Sequence, residues 1–476
     1  MFAHPPSPAR ALAAALAASA ASLWSAASVS PAAAQVPGEV AASAPAPAAD
    51  PRIEFERYRL ANGLEVILAP DPSVPLVAVS VWYHVGSGHE TPGKSGFAHL
   101  FEHMLFQGSK HVGEDRHFEV LKTIGAGTVN GTTNPDRTNY FEVVPSNQLE
   151  TALWLESDRM AYMLPLLTQK SLDNQIEVVR NERRQRYDNQ PYGTALFALY
   201  AALYPEKHPY RYLTIGKHED LAGASLDDVI GFFKTWYVPA NATLAIGGDF
   251  EPATARALVD RWFGSLPASK QPPVVTVPPP PPRAARVVVD DAFAKQRRIT
   301  WAWHGPARFA ADDAELTILA SALSRDGTGR LYKTLVHDRQ LATSVSAFQS
   351  GASFSGVFSV TVTLRGDADL TEVERLVTAE LAQVQRLPLD ARELARVVTQ
   401  REASAIWGLE SLLGRVEQLQ AYNHYLDDPG RLSWDLERFR KVTPAAVQAA
   451  ATRHIDLARP VVIVTMPAAA PAGGAK

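Results

Sequence analysis

Hydrophobic and polar positions along the chain follow two rhythms, one helical and one extended, and the same order of elements occurs twice. Val77 to Val85 and Arg298 to His304 read as strands, each followed by a glycine-containing turn and a helix. In the first half that helix opens at Ser95-Gly96 and carries Phe97, Leu100, Phe101, Met104 and Leu105 at helical spacing. It is therefore predicted to be largely buried, with Ser95 as its N-cap. In the second half the corresponding helix lies near Ala314 to Leu323. Another helix is predicted from Asp173 to Arg184, with Ile176, Val178 and Val179 on its buried side. Late in each half a capped helix precedes a buried strand. Ser225 opens a run ending near Tyr237, with extended Ala242 to Ile246 after it; Thr443 opens a run ending near Ile455, with extended Val461 to Val464 after it. The two passages align without a gap, Val229 on Val447, Leu244 on Val462 and Ile246 on Val464.

Pro272-Pro273 and Pro278 through Pro282 interrupt both rhythms and predict an extended, semi-rigid spacer. The pattern thus predicts an α+β fold of two homologous domains, residues 53–267 and 284–467. Each is a mostly antiparallel sheet covered by helices, with a linker over 268–283 and a tail over 468–476.

The N-terminus follows neither rhythm. Arg10 precedes a small-residue apolar run from Ala11 to Trp24, and Ala32-Ala33-Ala34-Gln35 supplies an A-x-A cleavage site. Residues 1–34 are predicted to be a secretory signal and 35–52 a flexible lead. The run is too short and alanine-rich for a span retained in the mature chain. For a Gram-negative source the expected location is the periplasm. The net charge of −4 gives no reason to expect a nucleic-acid partner or an anionic membrane surface. The chain has no cysteine, which excludes disulfides, thiolate ligands and a cysteine nucleophile. Any metal is left with His and carboxylate donors.

Those donors occur on the first-half helix. His99 and His103 are four residues apart and share one face, a spacing that lets two imidazoles grip one zinc ion. Glu102, three residues after His99, lies near that face and is placed to accept a proton from water. The order is H-x-x-E-H. A third ligand must come from elsewhere, and the 173–184 helix offers Glu177 and Glu182; spacing alone does not choose between them. Asn130-Gly131-Thr132 is open to two readings, a turn between strands or a polar sheet edge.

Several segments together resemble the pitrilysin and mitochondrial-processing-peptidase family of zinc peptidases, in its bacterial short-chain branch. They are Asn62-Gly63-Leu64, Gly86-Ser87, Gly96 through His103, Asn130 through Thr133 with Asp136, Thr138 and Tyr140, and Val178 through Arg184. The resemblance implies one zinc per chain held by His99, His103 and Glu182, with Glu102 as general base. It implies that the residue at the position of Gln175, often a Glu in the family, supports the metal ligands from behind. It also implies a peptide substrate added as a strand beside Asn130, Gly131 and Thr132. The two domains would form half of a clamshell chamber admitting peptides or unfolded segments. The family's substrate-binding Arg and Tyr, seven residues apart, would fall on Val336 and Thr343, which cannot do that work. Arg325 and Tyr332 share the spacing but sit one segment too early. The expectation is therefore the zinc-bearing subunit of a heterodimer whose partner supplies the Arg/Tyr pair. The alternative is a non-catalytic structural or binding subunit.

Overall fold

In each half, β-branched and aromatic runs alternate across a sheet while helices cover its faces. The computed structural model describes residues 50–114 and 116–468. The expected signal 1–34, nearly all of the lead 35–52 and nearly all of the tail 468–476 lie outside them.

The first sheet has six strands: β1 (Glu56–Arg59), β2 (Glu65–Pro70), β3 (Leu76–Tyr83), β4 (Thr128–Thr133), β5 (Thr138–Pro145) and β6 (Ala242–Gly248). Their order is β1-β2-β6-β3-β5-β4, antiparallel except for β2 beside β6. The second sheet has five: β7 (Ala285–Asp291), β8 (Arg298–Gly305), β9 (Ala342–Gly351), β10 (Gly356–Leu364) and β11 (Val461–Pro467). Their order is β7-β11-β8-β10-β9, with only β7 and β11 parallel.

The repeat extends to the register. Leu244 and Tyr140 flank Val81 in the first sheet, as Val462 and Val360 flank Trp301 in the second. The aligned helices are Leu226–Trp236, capped by Ser225, and Pro444–His454, capped by Thr443. Each sheet buries one face under helices of its own half, Val66, Val79 and Leu244 against Phe101 and Phe233, and Trp301, Val360 and Val462 against Leu319 and Val447.

The opposite faces are covered by exchange. Helix Leu412–Leu426, from the second half, packs Val416 and Leu419 on Ile67, Ala78 and Ala245 of the first sheet. Helix Gly193–Leu203, from the first half, packs Leu199 and Leu203 on Ala302, Val461 and Ile463 of the second. The seam on the first sheet is also polar. Glu417 accepts from Ser80 Oγ at 2.5 Å and Asn139 Nδ2 at 2.8 Å, and Gln420 donates to the carbonyls of Ser80 and Thr243.

One expected cap is corrected. Helix Phe97–Met104 has Gly96, at φ 93°, as its N-cap, because the Ile215–Gly216 backbone lies against it and leaves no room for a side chain. Ser95 Oγ instead donates to Asp220 at 2.6 Å. The helix N–H groups of Gly96 and Ala98 are taken by the Glu90 carboxylate at 3.0 and 2.8 Å, a side chain reaching in from an earlier turn.

Candidate metal centre

The Phe97–Met104 helix turns Phe97, Leu100, Phe101 and Met104 into the first core, which leaves His99, Glu102 and His103 facing a cavity of about 520 Å³. The opposite wall is helix Gln169–Arg183, capped by Thr168. Leu172, Ile176 and Val179 anchor that helix in the core, so Gln175, Val178 and Glu182 look into the cavity. Val178 was expected on the buried side; it is 40% exposed, because Ile176 and Val179 already occupy the core-facing stripe. Directly after Glu182 and Arg183 the helix widens into a π-helical turn over Arg184–Asp188.

Glu182 Oε2 stands 3.2 Å from His103 Nε2 and 3.7 Å from His99 Nε2, and the three ligand atoms lie within 4.8 Å of one another. Glu177, the other candidate, is exposed and pairs with Arg180. Arg186 holds the second carboxylate oxygen, Glu182 Oε1, at 2.8 Å and leaves Oε2 to the imidazoles. Burial first, then the neighbouring His103, pushes His99 down to about 4, so its ring is neutral at neutral pH, as a metal ligand requires. Burial pushes Glu182 upward, but the hydrogen bond from His103 and the fields of both imidazoles outweigh it and keep the carboxylate below its ordinary range. Two imidazole nitrogens and one carboxylate oxygen at this separation fit a zinc ion.

Glu102 stands beside this group. Burial raises its carboxyl above the ordinary range, opposed by a hydrogen bond from Thr133 Oγ1 to Oε2 at 2.7 Å. Thr133 is on β4, the edge of the first sheet, so Asn130-Gly131 is strand rather than turn. Asn130 is exposed, and its Oδ1 accepts the N–H of Gly131 at 2.9 Å. Thr132 Oγ1 donates to Asn139 Oδ1 at 2.6 Å. All three line the cavity.

Two family models match the chain. "Insulinase (Peptidase family M16)" covers residues 65–213, and "Peptidase M16 inactive domain" covers 223–401. The chain is 28% identical to the zinc protease PqqE of Helicobacter pylori over 75% of its own length and 81% of that protein. It is 23% identical to the mitochondrial-processing peptidase subunit beta of Blastocladiella emersonii, over 76% and 77%. A crystal structure of a protease from Helicobacter pylori superposes with a TM-score of 0.81 at 24% identity, covering 87% of this chain and all of that one. The chain belongs to the M16 family of peptidases, the pitrilysin family.

Within this M16 chain the match to the peptidase model contains His99, Glu102, His103 and Glu182, while the inactive-domain match falls largely on the second half. In that half Val336 is half-buried against the second core, and Thr343, on β9, donates to the Thr363 carbonyl at 3.3 Å. Arg325 and Tyr332 flank the Gly327–Gly329 turn, and neither lines the metal cavity. Gln175 is buried on the cavity wall. Thr133 escaped the sequence reading; period-two alternation in β4, which places it on the same face as Gly131, was the available signal. Among the described residues no helix is long and apolar enough to cross a membrane.

Proposed function

We propose that this chain is the zinc-bearing catalytic subunit of a periplasmic metalloendopeptidase that cleaves peptides or unfolded segments. The observation that carries the reading is the convergence of His99, His103 and Glu182 with Glu102 beside them on the wall of an open cavity. Zinc, when bound by that triad, supplies a Lewis acid for the water and the scissile carbonyl. The imidazoles of His99 and His103 and the charged carboxylate of Glu182 would hold it. The β4 edge offers backbone groups on which an extended substrate adds as a strand, with Asn130 and Gly131 nearest its outer side. Glu102 takes one proton of the attacking water while the water oxygen bonds to the carbonyl carbon. It then gives the proton to the amine nitrogen as the C–N bond breaks.

A donor for the developing oxyanion is still needed. Val336 and Thr343 carry neither a cation nor a phenol, and losing such a donor costs on the order of a hundredfold in rate. This supports a heterodimer in which a related partner brings an Arg/Tyr pair.

The test is purification from the periplasmic fraction with whatever co-purifies. Zinc is measured by atomic absorption and cleavage with a quenched-fluorescence peptide library, on the chain alone and with its partner. We expect one zinc per chain and strong cleavage only in the complex. Zinc-free protein would refute the metal site, and full activity of the chain alone would refute the heterodimer.

A further inference from the structure

We infer that Thr133 is a positioning residue for Glu102: it pins Oε2 of the carboxylate and leaves Oε1 as the oxygen that carries the proton. This rests on the reading of Glu102 as general base. Gly131 and Thr133 are two residues apart on β4 and so share the face turned toward Glu102. Gly131 makes the room. A Cβ there would lie 3.0 Å from Glu102 Cγ, 3.0 Å from the Phe106 ring and 3.2 Å from the Tyr140 ring, so the glycine lets the Glu102 side chain lie close on the strand without displacing these neighbours.

Thr133 then holds what Gly131 admits. Its hydroxyl has one proton and two acceptors within reach, Glu102 Oε2 at 2.7 Å and Thr138 Oγ1 at 3.4 Å. Thr138, directly across the ladder, is already committed, donating to the Val85 carbonyl at 2.9 Å and facing the Tyr237 hydroxyl at 3.2 Å. The Thr133 proton therefore points at Glu102. The platform behind it is stiff, because Asp136, in the β4–β5 turn, accepts from Tyr210 at 2.6 Å, Tyr425 at 2.8 Å and the Ser353 N–H at 3.0 Å. The hydrogen bond from Thr133 engages Oε2, and Glu102 itself lines the cavity, which assigns Oε1 to the cavity side. In the hydrolytic step the water O–H breaks and its proton goes to Oε1 while the C–O bond forms. The same proton moves from Oε1 to the amine nitrogen as the C–N bond breaks.

Thr133→Val keeps the shape and removes the hydroxyl. We expect kcat to fall roughly 10- to 100-fold, the worth of one hydrogen bond to a charged group, with KM changed by less than about twofold and one zinc retained per chain. Thr133→Ser should recover most of the loss. A crystal structure of zinc-loaded Thr133→Val gives a readout free of turnover, with the Glu102 carboxylate expected to leave its wild-type position. An unmoved Glu102, a wild-type kcat, or a loss that tracks loss of zinc would each overturn the inference. If Glu102→Gln is inactive while Thr133→Val is fully active, the inference fails and Glu102 stands as the base. If Glu102→Gln remains active, that base assignment fails too.

Discussion

Glu102 differs from its neighbours His99 and His103 in what it touches. The imidazoles face Glu182, whereas Glu102 is held by a threonine on the sheet edge. The separation of contacts predicts a separation of effects. Glu102→Gln is nearly isosteric, can still accept from Thr133, and removes only the basic oxygen. It should keep one zinc per chain by atomic absorption and lose turnover by at least about a hundredfold. Cleavage at the wild-type rate would rule Glu102 out as the base. The three helix residues were legible because one turn of helix brings positions i, i+3 and i+4 together whatever the rest of the chain does. Glu182 was not legible by spacing, since Glu177 and Glu182 differ only in which side of a distant helix docks on the core. Thr133 was less legible still, because its role depends on which face of an edge strand meets another element.

The helix Leu412–Leu426 has a different lesson at the scale of elements. Glu417, Gln420, Asn423 and His424 give it the look of a solvated helix, yet Gln420 is fully buried and Asn423 nearly so, their partners coming from β3, β6 and β2 of the other half. Without this helix, Ile67, Ala78 and Ala245 lose their cover, and Glu65 loses its bond from Asn423. A fragment of residues 50–283 should therefore fail to form a stable fold, because it exposes one apolar sheet face while its Gly193–Leu203 helix has no second sheet to bury Leu199 and Leu203. Circular dichroism with urea titration checks this. A cooperative transition for the fragment, comparable to that of the full chain, would show that the exchanged helices are dispensable.

At the scale of the whole molecule the same seam carries a pH dependence. His84 of the first half and His424 of the second meet Nδ1 to Nδ1 at 2.7 Å, so one nitrogen donates to the other, and their rings stack at 4.9 Å. Burial is the main cause holding both neutral. It lowers His84 to about 4, with Glu65 opposing and Arg59 and His89 reinforcing. His424 is held well below its ordinary 6.5 by burial and then by His84, His89, Arg137 and Arg308. The unfolded chain protonates both near 6.5, before the folded one does. The stabilisation is therefore complete above about pH 6.5 and is lost as pH falls toward 4, by roughly 1.4 kcal/mol per pH unit for each ring kept neutral. Urea midpoints should drop between about pH 7.5 and about pH 5, and His424→Gln should flatten that slope. An unchanged slope in the variant would remove His424 from the account.

Local features were legible from the residues alone. Period-two and helical rhythms placed the strands and helices, the repeat predicted two matching sheets, and one helical turn brought His99, Glu102 and His103 together. These follow from backbone geometry acting over a few residues. Long-range packing settles which carboxylate faces the two imidazoles, that Thr133 grips Glu102, that Gly96 rather than Ser95 is the N-cap of the Phe97–Met104 helix with Glu90 taking its N–H groups, and that each half lends a helix to the other's sheet. Each depends on how elements far apart in the chain dock, and burying polar groups such as Glu417 and Gln420 is tolerable only where partners from the other half are already in place.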